Sequence, residues 1–82
     1  MELNEILDSI KERWTTSERY ELIIELEHIA DGSSTGGEGL AREGKFLYDL
    51  KKNNPEAYHE VESLINQFIN KCADYKIIIR KT

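Results

Sequence analysis

Cysteine and proline are scarce in this sequence, with one of each in 82 residues. A single cysteine, Cys72, excludes an internal disulfide, and a chain without disulfides is typical of a reducing compartment. We therefore expect a cytoplasmic protein. Cys72 falls on an apolar helical stripe, where a free thiol acts as a small hydrophobic side chain.

Long apolar runs are also missing. No run approaches the roughly 18–20 residues that cross a bilayer, and residues 1–5 lack the basic and apolar regions of a secretory signal. We expect no membrane contact, and a length of 82 residues fits one domain, residues 1–82.

Recognisable catalytic motifs are absent as well. Residues 33–35 carry loop hydroxyls, and the sequence fixes no histidine beside them. The glycines of residues 31–39 lack the Lys-Ser/Thr of a phosphate-binding loop, and Glu38 among them would repel an anion. We predict a protein that is not an enzyme and binds no cofactor, with a flexible glycine-rich loop at 31–39.

Apolar residues recur at helical spacing in four segments, which predicts four amphipathic helices. The helices are expected over residues 3–14, about 17–30, about 39–53 and from Pro55 to Cys72. Thr15 and Glu18 form a capping-box pattern before the second helix, and Asn54 followed by Pro55 marks the start of the fourth. The predicted fold is all-α, a small bundle of four amphipathic helices. Its predicted core is Leu3, Leu7, Ile10, Trp14, Leu22, Ile23, Leu26, Ile29, Leu47, Leu50, Val61, Ile65 and Phe68.

Two residues of the third helix do not fit a simple apolar face. Glu43 projects from the middle of that face, where a carboxylate is costly unless it has a partner or the helical turn is frayed. We favour a frayed turn. Gly44 indicates either that same weak turn or a close approach by another element.

The C-terminal segment, residues 75–82, is basic and has two interpretations. Tyr75 and Ile79 continue the stripe of the fourth helix, which favours a helix extension. The β-branched residues 77–79 favour a strand, which would need a partner chain. Both alternatives stay open at this point.

Two Glu-x-x-His pairs, Glu25 with His28 and Glu56 with His59, have the spacing of carboxylate-bundle metal ligands. Both pairs fall opposite the apolar stripes of their helices, so we expect them to face solvent. No metal site is predicted.

Charge is the strongest functional signal. The formal net charge is −5, and residues 1–31 alone, with nine acidic and three basic side chains, sum to −6. In the second helix Tyr20 and Ile24 widen the apolar face, and Glu18, Glu21, Glu25 and His28 form the opposite face.

A row of acidic side chains attracts cationic partners. We therefore expect a small acidic binding protein that regulates or neutralises a basic protein partner, comparable to immunity proteins and inhibitors by analogy of charge alone. Its predicted contacts are Glu18, Glu21 and Glu25, with Tyr20 as an aromatic anchor.

Two alternatives follow from other features. A self-associating structural or adaptor domain would form a homodimer through the C-terminal segment. A nucleic-acid-binding accessory protein would use the basic patch, and the acidic excess of the chain disfavours it. The patch consists of Arg42, Lys45, Lys52, Lys76, Arg80 and Lys81.

Overall fold

The computed structural model describes residues 2–32, 36–77 and 79. All regular secondary structure in this part is helical, which confirms the all-α class. The helices are α1 (Leu3–Thr16), α2 (Tyr20–Gly32), α3 (Gly36–Asn53), α4 (Pro55–Glu60) and α5 (Glu62–Asp74). None of the described helices combines the length and apolar character that crossing a bilayer requires.

The helices pack in a ring around one core. Helix α1 packs against α2, α2 against α3, and α3 against α4 and α5, which return to α1. Helices α4 and α5 follow each other directly in the chain and contact each other. The fully buried aromatic and branched side chains at the centre include Trp14, Leu47, Ile65 and Phe68.

The predicted core is confirmed except on α2. Ten of its thirteen residues are buried, whereas Leu22, Ile23 and Ile29 are only partly buried. Leu26 is the residue of α2 that reaches the centre. Helix α2 is thus the least embedded of the predicted helices.

The prediction of one continuous fourth helix is wrong, because the helix is interrupted at Val61. Val61 has φ −127° and ψ 21°, and its amide donates to the Tyr58 carbonyl at 3.1 Å. In a continuous α-helix this amide would bond to the Ala57 carbonyl. The indole N–H of buried Trp14 donates to the Ala57 carbonyl instead, at 3.4 Å.

The start of α4 agrees with the sequence, since the Asn54 side chain accepts from the Ala57 amide and Pro55 is the first helical residue. The capping box predicted from Thr15 and Glu18 is wrong. Thr15 belongs to α1 and its hydroxyl donates to the Lys11 carbonyl at 2.8 Å. Helix α2 consequently begins later than expected, at Tyr20.

Helices α1 and α5 end in the same type of turn, a Schellman motif with a left-handed residue that is not glycine. At the end of α1, Glu18 has φ 61°, its amide donates to Thr15 and the Arg19 amide donates to the Trp14 carbonyl at 2.8 Å.

At the end of α5, Lys76 has φ 61°, its amide donates to Ala73 and the Ile77 amide donates to the Cys72 carbonyl at 2.8 Å. The helix therefore ends at Asp74, and the described residues of the C-terminal segment form neither the predicted helix extension nor a strand.

Instead, Ile77 and Ile79 pack against the core of their own chain. Ile79 lies over the backbone of Gly44, where an added Cβ would lie 2.9 Å from Ile79 Cγ1 and 3.4 Å from Phe68 Cε1. The close approach of this segment therefore accounts for Gly44, rather than a weak turn.

The glycine-rich loop is shorter than predicted. Helix α2 extends to Gly32 and α3 begins at Gly36, so two stretches of the expected 31–39 loop are helical. Residues 33–35 lie outside the described residues.

Candidate interaction surface

Five exposed residues on α2 and the turn before it form one continuous area, which we call the α2 surface. They are Glu18, Tyr20, Glu21, Ile24 and Glu25. Four of them were expected from the sequence as partner contacts. Ile24 was expected to widen the buried apolar face, and the structure places it outward instead.

The apolar part of the α2 surface is a pair of neighbours. Tyr20 and Ile24 are four residues apart, which places them side by side on a helix. Each retains 54% of its accessible surface. The apolar residues of α2 thus extend around much of its circumference, and a helix of that kind is normally covered on more than one side. The sequence signal that could have revealed this is the number of apolar residues in α2, which exceeds what one face can hold.

The acidic part lies along the flank of that pair. Glu21 and Glu25 are again one turn apart, and the left-handed turn holds Glu18 beside the start of the helix. Since Glu18 lies outside α2, the four expected residues Glu18, Glu21, Glu25 and His28 do not form one helical row. All four are exposed.

A shallow depression of about 400 Å³ lies at the N-terminal end of the α2 surface. It is lined by Ser17, Glu18, Arg19, Tyr20, Glu21, Leu22 and Asn54. It therefore joins the turn after α1 to the cap of α4. Three residues of the α2 surface contribute to its walls.

Arg19 anchors this end of α2. Its Nε and Nη2 donate to the two carboxylate oxygens of Glu60 at 2.8 and 2.9 Å, and its Nη2 lies 3.8 Å from Glu56. The hydrogen bond to Glu60 raises the pKa of Arg19, and the same contact lowers the pKa of Glu60. The charge of Arg19 is thus compensated within the chain. Glu18 and Glu21 therefore determine the sign of the charge on the neighbouring surface. Sequence reasoning missed this residue because its partners are 37 and 41 positions away.

The predicted basic patch is divided. Arg42 pairs with Glu38 and Lys45 with Asp49, each at 2.8 Å and within α3. Lys52 and Lys76 are exposed on separate elements. Arg80 and Lys81 lie outside the described residues.

The two Glu-x-x-His pairs are exposed, as the phase of their helices predicts. His59 contacts Glu62 at 3.3 Å rather than Glu56. Among the residues that the structure describes, no group of three or more potential metal ligands comes together.

Two titratable groups are buried in the centre. Glu43 is 6% exposed within a regular turn of α3, so the prediction of a frayed turn is wrong. Burial raises the pKa of Glu43, and the charge of Lys11 on α1 partly opposes that shift. Burial, followed by the charge of Glu43, raises the pKa of Cys72 to about 11. The thiol is therefore inert and packs as the small hydrophobic group predicted.

Comparisons with protein-family models, with curated protein sequences and with solved structures give no match to this chain.

Proposed function

We propose that this protein is a small acidic, non-enzymatic binding protein that regulates or neutralises a basic protein partner through the α2 surface. The observation that carries the proposal is the exposed pair Tyr20 and Ile24 flanked by Glu18, Glu21 and Glu25. Apolar and acidic groups occur together there on the least embedded helix of the bundle.

The two kinds of side chain have different roles in such a contact. Tyr20 and Ile24 supply apolar area that a partner covers, and tyrosine is a frequent energetic anchor in interfaces. The three carboxylates attract cationic groups, which accelerates encounter and selects among partners.

Charge favours a basic partner over a second copy at this surface. Two α2 surfaces facing each other would bring their carboxylates together, and like charges in contact oppose association. A segment with apolar side chains between lysines or arginines satisfies both parts of the surface.

The nucleic-acid alternative has less support. The carboxylates of Glu38 and Asp49 compensate Arg42 and Lys45, which lowers the positive charge that α3 presents. The self-association alternative depends on the C-terminal segment rather than on the α2 surface.

A photo-crosslinking amino acid at position 24 would identify the partner in cells, and the purified pair would then be measured. We expect Glu18→Gln, Glu21→Gln, Glu25→Gln together to lower the association rate by about tenfold or more and to flatten its salt dependence. Ile24→Ser should mainly raise the dissociation rate.

The matched control removes three acidic charges elsewhere, with Asp8→Asn, Glu12→Gln and Asp74→Asn, all at exposed positions. Equal binding by both triple variants would show that only net charge matters. Equal binding by Ile24→Ser and the wild type would also rule out the α2 surface.

A further inference from the structure

The side chain of Ile79 fills the space that the missing side chain of Gly44 leaves on α3. Because Gly44 has no side chain, α3 leaves a space beside Phe68, which we call the Gly44 notch. The tip of Ile79 occupies this space and would overlap any Cβ at position 44. A buried helical glycine costs helix stability, so the notch compensates that cost through the contact it permits.

Among the described residues, Tyr75 makes two side-chain contacts at the start of the segment that carries Ile79. The Tyr75 hydroxyl donates to the Glu2 carboxylate at 3.3 Å, in an exposed contact. The Lys71 ammonium lies 5.9 Å from the Tyr75 ring centroid. Ile77 and Ile79 are only partly buried, and within the described residues no backbone hydrogen bond ties Ile79.

The turn that precedes the segment is a natural hinge. Lys76 adopts a left-handed conformation that is unfavourable for a side chain other than glycine. Opening the turn would release that conformation and break the two backbone hydrogen bonds of the turn, Lys76 to Ala73 and Ile77 to Cys72. The closed position, with Ile79 in the notch, and the open position thus differ by these two hydrogen bonds and by the side-chain contacts of Ile77 and Ile79.

We propose that the Gly44 notch is an exchangeable binding site that accepts Ile79 from a second copy of this chain. In the single chain the notch is occupied by its own segment. In a pair, each C-terminal segment would cross to the notch of the other copy and make the same contact, which closes a two-fold dimer. The residues of this contact lie on α3, on α5 and in the segment after α5, and none of them belongs to the α2 surface.

Charge favours a second copy as the occupant. Residues 71–82 carry four basic side chains and one acidic, whereas the remaining residues carry 15 acidic and seven basic. The segment of one copy is therefore attracted to the body of another. A foreign segment would need both the same aliphatic tip and the same basic character.

Two complementary variants test the exchange. Gly44→Ala closes the notch and leaves its own segment without a site, whereas Ile79→Ser keeps an empty notch. We expect a 1:1 mixture to form a heterodimer with an affinity at least about tenfold higher than self-association of either variant, as measured by sedimentation equilibrium. A nuclear magnetic resonance titration of the Phe68 ring signals would locate the contact.

The double variant Gly44→Ala, Ile79→Ser is the control and should associate with neither single variant. If Ile79→Ser does not fold, Ile79→Val replaces it, since this change leaves space in the notch and keeps an apolar side chain. A mixture of folded variants that sediments as separate single chains at all concentrations would overturn the proposal. Substituting Glu18, Glu21 and Glu25 should preserve the preference of the mixture for the heterodimer, because Ile79 and the notch stay intact, which separates this result from the proposed function.

Discussion

The Arg19 guanidinium binds the Glu60 carboxylate with two parallel hydrogen bonds, Nε to one oxygen at 2.8 Å and Nη2 to the other at 2.9 Å. The pair joins the turn after α1 to the last residue of α4. Paired hydrogen bonds of this kind fix orientation as well as distance. The contact therefore determines how the start of α2 sits against the rest of the bundle.

Replacing Glu60 should make the free energy of unfolding less dependent on pH in the acidic range. The contact lowers the pKa of Glu60, so its contribution is present above the ordinary carboxylate pKa and is lost as pH falls through the lowered value. We expect Glu60→Gln to be less stable than the wild type near neutral pH, with a difference that shrinks in acid. Urea unfolding followed over about pH 3–7 measures this difference. A difference that stays constant with pH would contradict the role of the ion pair.

Replacing Glu43 should have the opposite pH dependence. Burial raises the pKa of Glu43, so the folded chain holds this proton more tightly than the unfolded chain. The resulting cost is absent in acid and grows as pH rises from the ordinary carboxylate pKa through the raised value. Glu43→Met should therefore raise the free energy of unfolding near neutral pH by about 1–3 kcal/mol. The gain should disappear in acid, and a gain of equal size at every pH would show that packing alone is responsible.

Glycine at the two left-handed positions should stabilise the fold. Glu18→Gly and Lys76→Gly each remove an unfavourable backbone conformation, and we expect each to raise the free energy of unfolding by about 0.5–1 kcal/mol. Thermal unfolding of both variants checks the values. Alanine at the same positions is the control, because it removes the charge and keeps the strain. If alanine stabilises as much as glycine, charge rather than backbone conformation is the cause.

The effect of Gly44→Ala should depend on residue 79. In the wild type the added methyl group displaces Ile79, and we expect a loss of about 1–2 kcal/mol. In an Ile79→Ala background the space is free, so the same change should gain up to about 1 kcal/mol from helix propensity. Chemical unfolding of the four proteins gives the coupling between the two positions. Additive effects would mean that Ile79 does not occupy the notch in solution.

Periodicity and capping predicted most of the fold because both are local properties of the chain. The apolar spacing of α1 predicted that helix correctly, and the Asn54–Pro55 pair predicted the start of α4. The break at Val61 was not predictable, since no glycine or proline marks it. The Trp14 indole, which donates to the Ala57 carbonyl at the break, lies 43 residues away in the sequence. The two Schellman turns were missed for a similar reason, because Glu18 and Lys76 occupy positions where glycine is the usual signal.

The candidate surface was only partly predictable. The exposure of Glu21 and Glu25 followed from helical phase, whereas Tyr20 was expected to widen the apolar face and is exposed. Ile24 could not be placed, because the sequence does not say how much of the circumference of α2 the neighbouring helices cover. The same limit applies to Ile79, whose position depends on a glycine 35 residues earlier.

The break at Val61 also gives this protein an internal optical probe. Trp14 is the only tryptophan, is fully buried and donates its indole N–H to a carbonyl that the break releases. Its fluorescence therefore reports on the junction of α1 with α4, and no label or tag has to be added. A ligand that covers Tyr20 and Ile24 leaves this emission in place, whereas separation of α1 from α4 shifts it to longer wavelengths. The intrinsic tryptophan fluorescence of the unmodified chain can thus distinguish binding from loss of structure.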